Sequence, residues 1–280
     1  MDYANEFPVK KMSQVLEVSR SSYYNWLGTK EEKAKEQQRL EQKIKEVFES
    51  SRSTYGSPRV SQELEKEGLA ISKSTVARRM KDLKITPKVK KRYHKTTDSN
   101  HDKEISPNLL DRKFEVSQAA RFWVGDITYI RLRYSFVYLT TVIDLADRMV
   151  VGWSVSDNMT DEHTTIAALK KAVSNRPIEP GLVFHSDRGS QYASDGFRKV
   201  LKGNKCIQSM SRKGNCWDNA VAESFFKTIK VESLYRHKFE TIEQVYSAVF
   251  DYINGWYNTR RIHSTLGGKS PSEMFDLLRA

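Results

Sequence analysis

Three carboxylates stand in separate, unlike stretches of this 280-residue chain: Asp126 in Trp-Val-Gly-Asp-Ile-Thr-Tyr-Ile, Asp187 in Val-Phe-His-Ser-Asp-Arg-Gly, and Glu223 in Asp-Asn-Ala-Val-Ala-Glu-Ser-Phe-Phe. Between the first two lie 60 residues, and between the last two 35. Converging carboxylates suit hard divalent cations, which take oxygen ligands and share their shell with water and phosphate. Two such ions a few ångströms apart can activate a water or hydroxyl against a phosphodiester and neutralise the leaving oxygen. That chemistry needs no histidine or thiol cluster.

The surrounding sequence predicts the elements that would bring the three together. Asp126 falls in an apolar, β-branched and aromatic run, Phe122 to Ile130, which reads as a buried central strand. An uncompensated carboxylate there would be costly, so a metal is a natural partner. Asp187 follows Leu182-Val183-Phe184 and precedes Gly189, at the carboxyl end of a second strand. Glu223 lies in a helix begun by Asp218 as N-cap and carried by Ala220, Val221, Ala222, Phe225 and Phe226. Asn219, Lys227 and Lys230 share a stripe with Glu223. Lys230 could hold a DNA phosphate beside the metals, the alternative being an ordinary i,i+4 pair between Glu223 and Lys227 on a solvated helix face.

These motifs at this spacing resemble the Asp-Asp-Glu polynucleotidyl transferases. In particular the chain resembles insertion-sequence transposases of the family read from two overlapping frames (the second-frame product), and more distantly the retroviral integrases. The resemblance runs from about Phe7 to Phe275. It implies catalytic and metal-holding roles for Asp126, Asp187 and Glu223, with two Mg²⁺ ions that Mn²⁺ can replace, and a basic residue at Lys230. It implies cleavage at element ends followed by strand transfer, on double-stranded DNA comprising insertion-sequence ends and target. A homo-oligomer, at least a dimer on DNA, and an upstream-frame partner or fusion are further implications. The zinc-binding amino-terminal module of retroviral integrases is not found.

The strand and helix order supports the same fold. Phe122–Ile130, Ser135–Ile143 and Val150–Val155 read as antiparallel strands, followed by a helix over Thr160–Ser174. A strand at Leu182–Phe184, a helix at Ser194–Leu201, a strand at Ile207–Met210 and the Glu223 helix complete the set. This is the order of a ribonuclease-H-like α/β core with a mixed five-stranded sheet. The expected organisation is a helix-turn-helix-like segment over 1–30, a helical DNA-binding domain over 31–85, a basic linker over 86–117, the catalytic core over 118–235 and a helical extension over 236–280.

Composition agrees with a polyanionic partner. The net charge is +12, and residues 1–100 hold 22 Lys and Arg against 14 Asp and Glu. From Lys73 to Lys95 ten basic residues face Asp82 alone, a pattern that gives salt-dependent DNA affinity. Two cysteines without a CxxC pattern argue against a disulfide framework or zinc site. No apolar run is long enough for a membrane span, and the expected location is the bacterial cytoplasm, at the nucleoid.

In the amino-terminal third, residues 9–16 and 18–27 read as two short helices, and a third follows over Glu31–Glu49 with Leu40, Ile44, Val47 and Phe48 on one face. Tyr55-Gly56-Ser57-Pro58-Arg59 opens a helix to about Glu67, with Ser57 as N-cap and Pro58 at the first helical position. A second begins at Ser72 or Ser74 and carries Arg78, Arg79 and Lys81, a candidate recognition helix for a major groove. Toward the carboxyl terminus, Thr241 and Ser270 each open a capping box. Between them the segment 256–264 matches the family's Tyr-Asn…Arg…His-Ser pattern. There Arg260 and Arg261 could hold a DNA strand, or Trp256 and Tyr257 could close the core while Arg261 caps a helix. His185 reads as a positioning residue, with a proton shuttle as alternative, and Asp144 as a turn residue outside the metal set. A nuclease that cuts without joining and a non-catalytic DNA-binding regulator are the other functions the sequence admits.

Overall fold

Alternation of apolar residues builds the central strand first: β1 spans Phe122–Arg131 and pairs along its whole length with β2, Phe136–Asp144, in antiparallel register from Trp123↔Asp144 to Arg131↔Phe136. β3, Val150–Ser156, extends the sheet beyond β2. On the other side β4, Val183–Ser186, lies parallel to β1, and β5, Ile207–Met210, parallel to β4. The order β3-β2-β1-β4-β5 puts the Asp126 strand at the centre. The computed structural model describes residues 6–87, 103–213 and 215–280, so the basic stretch 88–95 and the middle of the linker expected over 86–117 lie outside the described residues. The chain divides into two units, Met1–Pro87 and Lys88–Ala280.

The first unit is helical: α1 Val9–Val15, α2 Arg20–Ser50, α3 Ser57–Lys66 and α4 Lys73–Asp82. The short helix expected over 18–27 and the longer one over 31–49 are one helix. Gly28 was the only break in the pattern, and a single glycine costs a helix only about 1 kcal/mol. Ser19 caps α2 by accepting the Ser22 N–H. Ile44 and Val47 of α2 bury against Val60 and Leu64 of α3 and Val76 and Met80 of α4. Gly56, not Ser57, occupies the N-cap of α3, while Ser72 caps α4 through the Thr75 N–H.

In the second unit a π-turn at Glu162–Ile166 leads into α5, Ala167–Asn175, which lies directly on β3. Gly152 permits this: a methyl group there would stand 2.3 Å from the Ala168 carbonyl oxygen and 2.6 Å from the Ala172 nitrogen. Helix α6, Asp195–Gly203, adds Phe197 and Leu201 to a core of Trp123, Leu169, Phe184, Tyr192 and Met210. Helix α7, Ala220–Glu232, packs on β1, and α8, Ile242–Tyr252, on β3. Helix α9 is Pro271–Arg279, opened by a reciprocal box between Ser270 and Glu273. Thr241 accepts the Gln244 N–H, but the Gln244 side chain takes the Glu240 N–H instead of closing the expected box.

Residues 103–117, expected as linker following DNA, are bound to the sheet. Leu110 is buried, the Leu109 N–H donates to Ser209, and the Pro107 carbonyl accepts the Met210 N–H. Counting lysines and prolines there obscured the few apolar residues that anchor it. Asp144 is likewise structural. Buried at the end of β2, it accepts the Ala120 N–H, the Trp123 indole N–H and Arg176 at 2.6 Å, while Asp147 lies 2.8 Å from the same guanidinium.

Candidate active site

The β1–β4 register does the first part of the work. Phe122 faces Val183 and Val124 faces His185, an offset that, carried two residues further, sets Asp126 level with Asp187 just beyond the end of β4. Side chains two apart share a sheet face, so both carboxylates stand on the side of Val124 and His185. Asp126 accepts the Ile127 N–H at 2.8 Å, and Asp187 the Gly189 N–H at 2.9 Å. The Asp126 carboxyl is held well above its ordinary pKa, first by burial and then by the charges of Asp187 and Glu223; the Ile127 N–H and Lys230 work the other way without cancelling them.

Helix α7 is fastened to β1 at both ends. Asn219 donates to the Gly125 carbonyl at 3.1 Å, and the Lys230 ammonium donates to the Thr128 hydroxyl. This fixes Glu223 one turn into the helix, near the pair, where burial and Asp187 raise its pKa. Its side chain is exposed, as is that of Lys227. Among the described residues no three acidic, histidine or cysteine side chains stand as ready ligands around a single ion. The structure therefore brings Asp126 and Asp187 together and leaves Glu223 beside them. Lys230 is half-buried next to Asp126, and burial lowers its pKa against the pull of that carboxylate.

Asp218, expected as N-cap, does other work. It is fully buried and takes Arg112 at 2.9 Å, two nitrogens of the Arg212 guanidinium at 2.9 Å each, and Asn108 at 3.0 Å. A short 3₁₀ turn, Cys216–Asn219, leads into α7 in place of a side-chain cap. His185 is buried between Ser209 at 2.8 Å and Ser211 at 3.2 Å, and burial lowers its pKa to about 4. Both ring nitrogens are thus held by serine hydroxyls, one on β5 and one just past it.

The remaining cations divide sharply. Arg78 and Lys81 are exposed on α4, whereas Arg79 is turned toward Glu41 and Asp82, 3.7 Å from each. Arg260 is exposed. Arg261, expected among the DNA contacts, is instead 4% exposed and forked onto Glu232 at 2.8 and 2.9 Å, with the Tyr252 hydroxyl on the same carboxylate. Its neighbours are structural too: Asn258 bonds both the N–H and the carbonyl of Val150 at 3.0 Å, like an extra strand on the edge of β3. Trp256 and Tyr257 are buried. The residues missed by sequence reasoning are Glu232 and Asn258, whose partners lie far away in the chain.

Residues 116–216 and 204–271 match integrase core domain families, and residues 35–93 an HTH-like domain. The mixed five-stranded sheet with its helices is a ribonuclease-H-like integrase core, and this defines the class of the protein. An insertion element IS600 protein of 31 kDa from Shigella sonnei is 38% identical over 262 residues, covering 93% of this chain and 96% of its own length. The transposase InsF for insertion sequence IS3A of Escherichia coli is 36% identical over 271 residues, 96% of this chain and 94% of that one. This chain belongs to the family of insertion-sequence transposases that includes InsF of the IS3 elements. Among solved structures, the HTLV-2 integrase catalytic core domain in complex with magnesium covers 56% of this chain and 97% of its own, at 18% identity and a TM-score of 0.43.

Proposed function

We propose that Asp126, Asp187 and Glu223 are the Asp-Asp-Glu site with which this transposase cuts and joins DNA, using divalent metal. The observation that carries this reading is the Asp126–Asp187 pair: one carboxylate on β1 and one just past the end of the neighbouring parallel β4, with Glu223 adding a third charge and Lys230 too little to balance them. The donor set is all oxygen, as Mg²⁺ or Mn²⁺ prefers, and its uncompensated charge fits a cation. Asp126 and Asp187 would hold one ion between them, and Glu223, exposed and one turn into α7, would close on a second. Bound there, the ions supply nucleophile activation and charge neutralisation at the leaving oxygen.

The protein's own groups arrange the rest. Lys230, fixed by Thr128, lies beside Asp126, where it can meet a phosphate of the flanking strand. Exposed Lys227 and Arg260 offer further phosphate contacts, and Arg78 and Lys81 present a basic face of α4 to a DNA groove. In the first displacement water attacks the phosphodiester at an element end and frees a 3′ hydroxyl. In the second that hydroxyl attacks a target strand, one phosphodiester exchanged for another with no bond to the protein. Holding two ends calls for at least a dimer on DNA, in the cytoplasm. Among the described residues no helix is long and apolar enough to cross a membrane.

Mn²⁺ calorimetry without DNA tests the site. Ligand carboxylates must be deprotonated to bind metal, and Asp126 holds its proton more tightly than an ordinary Asp. Affinity should therefore rise with pH through the Asp126 titration, with protons released on binding, and Asp187→Asn should remove it. Binding that ignores both pH and Asp187→Asn would place the metal elsewhere.

A further inference from the structure

An indole carries one of the largest apolar surfaces of any side chain, and the second unit buries Trp123, Trp153 and Trp256. Trp217 it leaves 69% exposed, with no ring or cation among the described residues stacked on it. The residue does not hang from a loose loop. It belongs to the 3₁₀ turn Cys216–Asn219, between Asn215, which accepts from the Arg112 guanidinium at 2.8 Å, and buried Asp218, which takes the same guanidinium and that of Arg212. Two residues on, Asn219 holds the Gly125 carbonyl, next to Asp126. Two residues span at most about 7 Å, so the indole is rooted at the rim of the Asp126–Asp187 pair. The turn runs straight into α7, where Glu223, Ser224 and Lys227 are exposed. Trp217 stands two helical turns before Ser224, on the outward side that also carries Glu223 and Lys227. Charge completes the setting. On the segments that hold the turn, Arg112 and Arg212 are 46% and 49% exposed and Lys113 and Lys213 are exposed, against the carboxylates of Asp111 and Asp218.

We propose that Trp217 is a stacking platform for an unpaired base of the DNA strand held at the Asp126–Asp187–Glu223 site. The inference rests on the DNA-cutting reading above. A fixed, exposed ring among cations suits a polyanion that also carries flat apolar faces, and single-stranded nucleic acid is bound by this combination. Inside a duplex each base face is covered by its neighbour, so the base that meets the indole is one at the strand end or opened beside the bond to be cut. Arg112 and Arg212 serve the device twice. Through Asp218 they hold the turn that carries the ring, and their exposed faces lie open to the phosphates on either side of the stacked base.

The test compares Trp217→Ala and Trp217→Phe with wild type, as full chains without metal, for binding of two labelled element-end duplexes, one fully paired and one with its terminal bases left unpaired. Trp217→Ala should weaken binding of the unpaired end about five- to hundredfold, the range for one stacked base, and that of the paired end much less. Trp217→Phe should recover most of the loss. The salt dependence should keep its slope, because no phosphate contact is removed, and melting should stay level, as for other surface substitutions. A 2-aminopurine at the unpaired position should be quenched by wild type and not by Trp217→Ala. Equal binding of the unpaired end by Trp217→Ala and wild type overturns this inference and spares the DNA reading, and so does a loss equal for both ends or accompanied by a lower melting temperature. Loss of self-association in Trp217→Ala with DNA affinity unchanged also overturns it, giving the ring to a second copy of the chain. A wild-type protein that binds neither duplex overturns the DNA reading and this inference with it.

Discussion

Asp126→Asn, Asp187→Asn and Glu223→Gln should each abolish cleavage and joining of a labelled element end while leaving its binding nearly intact. Each substitution keeps the size of the side chain and removes a charge that holds metal, not DNA. A metal's charge stabilisation is worth several kcal/mol, and at tenfold per 1.36 kcal/mol the loss is on the order of a thousandfold or more. Asp126→Asn should have a second signature. A carboxyl whose folded pKa lies above its unfolded one destabilises the fold increasingly as pH rises past the unfolded value. The metal-free Asp126→Asn protein should therefore melt at or above the wild-type temperature at neutral pH. Normal strand transfer by any of the three variants would remove that residue from the site, and a lowered metal-free melting point for Asp126→Asn would mean its charge is balanced by a group not identified here.

Arg261→Ala should be among the most destabilising single changes in the second unit. The guanidinium is buried and forked onto Glu232, which also carries the Tyr252 hydroxyl. Removing one partner of a buried pair leaves an uncompensated charge and costs about 3–5 kcal/mol. Replacing both together, Arg261→Met with Glu232→Leu, should recover most of that, because well-packed apolar residues often substitute for a buried ion pair at little cost. Urea unfolding of the single and double variants decides it. If Arg261→Ala unfolds at the wild-type midpoint yet loses DNA affinity, Arg261 faces nucleic acid after all.

Much of the catalytic unit was legible because its signals are local. The run Phe122–Ile130 is too apolar and β-branched for a surface element, and β5 at Ile207–Met210 stands where the sequence puts it. The carboxylate spacing is legible too, since a constant offset between β1 and β4 carries Asp126 to Asp187. The helix that carries Glu223 followed from the apolar residues of α7. What escaped were residues whose roles are set by distant partners. Asp218 looks like an N-cap until Arg112, 106 positions earlier, is brought to it. Arg261 looks like a phosphate contact until Glu232 turns out to lie beneath it, and Asn258 gives no local sign that it will bond β3. The continuity of α2 through Gly28 shows the reverse error, in which a local breaker was overruled by the helix on either side.

The central claim is that this site both cuts and joins. It is tested most directly by incubating the wild-type protein with a labelled duplex ending in its element's terminal sequence, an unlabelled target and Mg²⁺, and resolving the products on a denaturing gel. The account predicts a shortened strand freed at the element end and longer products in which that strand is covalently linked to target, both lost with chelator and with Asp187→Asn. Cleavage without joined product would make the protein a nuclease, and neither product a DNA-binding regulator. Joined product from Asp187→Asn would contradict the account at its core.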